Sequence, residues 1–197
     1  MRIKNAFTLA ETLIVMAIIG VLATITMVAL TGSLPDKKKA MFKKGYSVIE
    51  RTVGEVVNDE TLYPFNREKI GFLNDESVEI PGTGMVAAGA NKHCVIFANK
   101  LNTVGNASAD FCKFETTDGI YWELPATAFS TTNLEQIFVI DVNGSDKGPN
   151  TRGDDVFQVI VRADGKIRVE DGSVEAEMLR SQTIKKEEKQ EQQQQSK

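Results

Sequence analysis

The sequence predicts an α+β protein in which a long N-terminal helix packs on an antiparallel sheet. Three observations point there. Residues 7–30 are apolar or weakly polar throughout except for Glu11. Beyond them, Phe42, Tyr46, Ile49, Val53 and Val56 recur at spacings of four and three, the period of an amphipathic helix. From about Leu62 the chain breaks into short apolar runs separated by Gly, Asn, Asp and Pro, the pattern of short strands and turns.

The first element is long enough to span a bilayer. As a helix, residues 7–30 measure about 36 Å, against roughly 30 Å of hydrocarbon. A secreted signal peptide has a shorter apolar core followed by a small-residue cleavage site, and this segment shows neither. Glu11 stands about 6 Å along the helix from Phe7 at 1.5 Å per residue, close to the interface, where a carboxylate costs less than at mid-bilayer. A carboxylate in such a segment marks a functional site and calls for a partner. Arg2 and Lys4 precede the span, while Lys37, Lys38, Lys39, Lys43 and Lys44 follow it. Counting cations alone would place the C-terminal side in the cytoplasm.

The run KNAFTLAETLIVMAIIGVLA resembles the N-terminal cleavage and methylation segment of type IV pilins and type II secretion pseudopilins. That family has a short basic leader, then Phe-Thr-Leu-x-Glu and a long apolar helix. The resemblance implies a leader over residues 1–6, cleavage between Ala6 and Phe7, and N-methylation of Phe7. Alanine stands here where the family usually has glycine before the cut. Glu11 becomes the fifth residue of the mature chain, and Gly20 falls where many members carry glycine. The resemblance also supplies the partner that Glu11 needs. In the assembled filament the carboxylate neutralises the new terminal amine of a neighbouring subunit, an attraction that is strong in low dielectric and that selects register. It further implies a prepilin peptidase/methyltransferase, other pilin or pseudopilin subunits and an inner-membrane assembly platform as partners. It places the head outside the cytoplasm, against the simple charge count, on a single-pass protein of the inner (cytoplasmic) membrane that later joins a pilus or pseudopilus.

The second element, over residues 31–60, is the amphipathic half of the long helix. Its apolar stripe is read as core packing, and its lysines as a solvated face or as contacts to anionic lipid head groups. Asp36 is read as a cap residue, and Pro35 as a kink or break between the halves. In pilin-like proteins the distal half of this helix packs on a sheet, which suits the stripe.

The head occupies residues 61–180. Strands are expected at residues 93–98 (HCVIFA), 120–124, 137–142, 156–161 and 166–170, and Arg162-Ala163-Asp164-Gly165 signals a tight hairpin turn between the last two. Residues 62–92 read as an irregular loop with a short helix near 67–73. A short helix over 173–183 precedes a polar tail, residues 181–197, whose composition cannot bury a core.

Two constellations in the head carry chemistry. Cys94 and Cys112 are the only cysteines. With no CxxC and only His93 nearby, a thiolate metal site lacks ligands, which leaves one disulfide if the domain is exported, or two buried thiols if it is not. The loop DVNGSDKGPNTRGDD, residues 141–155, is rich in oxygen donors and glycine, as a Ca²⁺ site requires. Its candidate ligands are Asp141, Asn143, Asp146, Asp154 and Asp155. Arg152 stands where an EF-hand places its glutamate. Pseudopilins carry a similar loop, which holds calcium in the major ones. The other reading is a turn-rich connection whose Asx side chains bond to their own backbone.

No catalytic constellation is present in the sequence: His93 is the only histidine, and no nucleophile elbow or phosphate-binding loop occurs. A net charge of −4 supplies no footprint for nucleic acid. The expectation is a non-enzymatic structural subunit, assembled into a type IV pilus-like filament or type II secretion pseudopilus. The alternative is a membrane-anchored extracytoplasmic binding module with a calcium-stabilised head that does not polymerise.

Overall fold

The computed structural model describes residues 9–31, 34–104 and 111–180. The leader, the cleavage site Ala6-Phe7 and the polar tail lie outside the described residues. The chain divides into two compact units, Met1–Lys37 and Lys38–Lys197. This division falls within the segment that the sequence assigns to the amphipathic half of the long helix, because the apolar stripe beyond Lys37 is part of the head's own core.

In the first unit, helix α1 spans Leu9–Thr31 with Glu11 in its first turn. Leu13, Ile14, Val15, Met16, Ile18, Ile19 and Val21 are all exposed. Successive residues turn by 100°, so these side chains surround the helix instead of forming one stripe. Among the described residues no helix is long and apolar enough to cross a membrane, and the described side chains of α1 run only over residues 10–21.

The second unit is built around α2, whose full span is Leu34–Val57. Pro35 lies in the first turn, where its missing N–H costs nothing. Asp36 stands inside the helix instead of capping it, a correction to the sequence reading. Phe42, Ile49, Val53 and Val56 are buried at 0–2 % exposure, and Tyr46 packs partly buried against the same core. This stripe meets a five-stranded antiparallel sheet in the order β3-β4-β5-β6-β7: Lys113–Glu115, Tyr121–Glu123, Glu135–Asp141, Val156–Arg162 and Ile167–Arg168. Sequential strands are neighbours throughout. The β5–β6 ladder runs over the full seven residues, from Glu135↔Arg162 to Asp141↔Val156. Alternation along it sends Phe138, Ile140, Phe157, Val159 and Val161 into the core, with Phe42 4.7 Å from Phe157 between ring centroids. The predicted β6–β7 turn forms as read: Gly165 takes φ 84°, and its N–H donates to Arg162 O at 2.9 Å.

One predicted strand is a helix. Residues 93–98 belong to α3, Lys92–Lys100, in which Lys92 through Ala98 are all buried. A continuous apolar run has no period to separate strand from buried helix. Here no described strand pairs with it, and its backbone is satisfied internally, with Leu101 N–H closing the end on Ala98 O at 3.3 Å. Two features lay below the sequence signal. Strand β3 offers a single inward residue, Phe114. The irregular region also holds a hairpin, β1 (Val78–Ile80) with β2 (Met85–Ala87), turned by Pro81-Gly82-Thr83-Gly84. The short helix expected near 67–73 is a 3-10 turn at Gly71–Leu73, and α4 occupies Val174–Arg180.

Candidate functional site

Of the motif residues, Ala6 and Phe7 lie outside the description. Glu11 sits in the first turn of α1, and Gly20 lies further along it with nothing within 4 Å of the position its Cβ would take. An acidic side chain in a first turn also faces the positive end of the helix dipole.

In the head the structure joins Cys94 to Cys112, with Cα atoms 4.8 Å apart. The bond ties the buried helix α3 to the segment entering β3. His93, beside it, is 5 % exposed and packs against Phe129 and Phe138 at 5.3 and 6.2 Å between ring centroids. Its Nε2–H donates to Pro125 O at 2.9 Å, which fixes the neutral tautomer. Burial holds its pKa down at about 4, against the pull of that carbonyl. The histidine is a core residue.

No local pattern points to its neighbour. Lys92 is 2 % exposed; its Nζ donates to Asn74 O at 3.1 Å and lies 4.2 Å from the centre of the Tyr63 ring. Burial lowers its pKa to about 8, with Glu76 and Asp75 pulling the other way. A lysine ahead of an apolar run reads as an exposed flank; only the packing of the 58–91 segment over α3 buries it.

The acidic loop is held together largely by hydrogen bonds between its side chains and its own backbone. Asp155 is fully buried, and its two oxygens accept the N–H groups of Asn150 (3.0 Å) and Thr151 (2.8 Å). Burial pushes this carboxyl up, but those amides outweigh it and hold the pKa below the usual carboxylate range. Asp154 pairs with Lys38 of α2 at 2.6 Å. Asp141 accepts the Asn143 N–H at 3.2 Å, and burial raises its pKa. Asn143 donates to Lys147 O and Gly148 O, Asn150 donates to Ser145 O, and Asp146 is exposed. Among the described residues no group of three or more His, Cys, Asp or Glu is placed to hold a metal ion. Asp141 and Asp155 stand close enough to interact electrostatically, and Asn143 Oδ1 is buried with no hydrogen-bond partner. The oxygens of Asp141 and Asp155 accept from the loop's own backbone, and Asp154 engages α2.

Two lysines read as a solvated face are struts. Lys38 binds the acidic loop through Asp154, and Lys44 binds the β3–β4 turn through Asp118 at 2.8 Å. That turn is itself braced from the core, where Trp122 Nε1–H donates to Thr116 Oγ1 at 2.9 Å.

Residues 1–30 match the family model of the prokaryotic N-terminal methylation motif. No curated protein and no solved structure matches the chain. The chain thus carries at its N-terminus the signature of type IV pilins and pseudopilins, a motif of structural subunits that prepilin peptidase recognises.

Proposed function

We propose that the protein is a prepilin-like subunit, cleaved between Ala6 and Phe7, N-methylated on Phe7, and assembled into a type IV pilus-like filament or a type II secretion pseudopilus. The observation that carries this reading is the methylation motif over residues 1–30. The exposed apolar residues around α1 support it, because such a surface needs an apolar surrounding on every side. Residues 7–30 first supply a membrane span and then the packed centre of a filament, with the head outside the cytoplasm. Removing the leader creates the α-amino charge on Phe7, and Glu11 of an adjacent subunit neutralises it. In low dielectric either charge alone is costly, so the pair selects the axial register between copies.

Mass spectrometry of the mature chain from membranes tests the reading. A terminus at N-methylated Phe7 is expected, and an intact Met1 terminus would sink it. Glu11→Val is expected to leave cleavage intact and abolish assembly. Normal filaments from that variant would refute the charge pairing while leaving the maturation reading in place.

A further inference from the structure

A recess of about 250 Å³ opens on the head between α2, the end of α3 and the β3–β4 turn. Lys44, Val48 and Arg51 enter it from one face of α2, at positions i, i+4 and i+7. Lys100 comes from the last turn of α3, and Thr117 from the turn. Val48 and Leu101 provide apolar lining. The charges are unequally matched. Lys44 is balanced by Asp118 at 2.8 Å, whereas Arg51 and Lys100 form no ion pair among the described residues. Two cations from different elements thus share a concave site with no ion-pair partner of their own: the Asp118 at its rim is taken by Lys44, and Lys100 feels only the more distant charge of Asp59.

We propose that this recess binds a phosphate dianion, free or as the monoester of a larger molecule. A carboxylate carries one charge and leaves one of the two cations unmatched; a phosphate dianion answers both. The guanidinium of Arg51 offers a planar fork suited to two oxygens, and Lys100 a mobile point charge for a third. The apolar lining accommodates a carbon stem on the fourth. None of its lining residues belongs to the N-terminal motif.

The test uses the full chain in detergent micelles, titrated calorimetrically at neutral pH and low salt with inorganic phosphate, glycerol 3-phosphate and acetate. Saturable phosphate binding is expected, weakened about fivefold or more by Arg51→Gln and by Lys100→Gln. Lys147→Gln removes the same charge from the exposed acidic loop and should leave affinity unchanged. Tighter binding of glycerol 3-phosphate than of phosphate identifies a monoester as the ligand, and equal binding identifies the free ion. The proposal is overturned if no saturable heat appears, if Lys147→Gln weakens binding as much as the recess variants, or if acetate binds as tightly as phosphate. Circular dichroism of each variant checks that loss of binding is not loss of fold.

Discussion

At the scale of single residues, two glycines on α2 have opposite roles. A Cβ at Gly45 would lie 3.1 and 3.2 Å from the side chain of Ile140, which is fully buried on β5. The helix approaches the sheet there because no side chain intervenes. Gly54 has nothing within 4 Å and ordinary helical backbone. Gly54→Ala should therefore stabilise by about 0.5–1 kcal/mol through the unfolded chain. Gly45→Leu should destabilise by about 1–3 kcal/mol through overpacking. Denaturant titration of both variants decides; equal signs would refute the close-approach account. His93 makes a pH prediction. Its folded pKa of about 4 lies below the unfolded value near 6.5, so the unfolded chain takes up a proton first. Stability is then fully present above the unfolded value and declines as pH falls from about 6.5 toward 4. Melting temperatures of the native chain and His93→Gln, compared across that window, should show a shallower decline in the variant.

At the scale of elements, the sheet edge beside β7 shows how the short last helix contributes. Strand β7 pairs with β6 only at Ile160 and Val161, leaving the Gln158 N–H without a strand partner. Glu175 of α4, 2 % exposed, accepts it at 3.0 Å, and Arg152 stands 4.0 Å from the same carboxylate. Truncation to Glu175→Ala should cost about 1–3 kcal/mol by leaving a buried donor unmet, with partial recovery in Glu175→Gln. Amide exchange at Gln158 should rise in the alanine variant alone. The Cys94–Cys112 bond acts between elements in the same way. Replacing both cysteines by alanine should destabilise the head by about 2–5 kcal/mol, measured by thermal unfolding against the native chain. The strands that alternate over several residues, β5 and β6, and the stripe of α2 were legible in the sequence, since their periods are local properties. Strand β3 and the β1–β2 hairpin were not, because three residues are too few to display a period. Helix α3 was misread as a strand because complete burial removes the polar face that reveals one.

At the scale of the whole molecule, much of the head's charge is paired within the head itself. The acidic loop draws counter-charges from Lys38 and from backbone amides. The melting temperature of the native chain with added Ca²⁺ or a chelator tests whether the loop also takes a cation. Asp155→Asn should lower it, because one carboxylate oxygen that accepts a buried amide becomes a donor. A rise in melting temperature with Ca²⁺ that disappears in Asp155→Asn would identify a cation site, and no change would exclude one. By itself the sequence determined the maturation motif, the apolar N-terminal segment and the strands and helix with clear periods, because each is written in residues adjacent along the chain. Only the tertiary structure decided that residues 93–98 are helical, that Lys92 is buried, and that Lys38 engages Asp154, 116 positions away. Those outcomes depend on which surfaces meet after the chain has closed over long loops, and no local pattern encodes them.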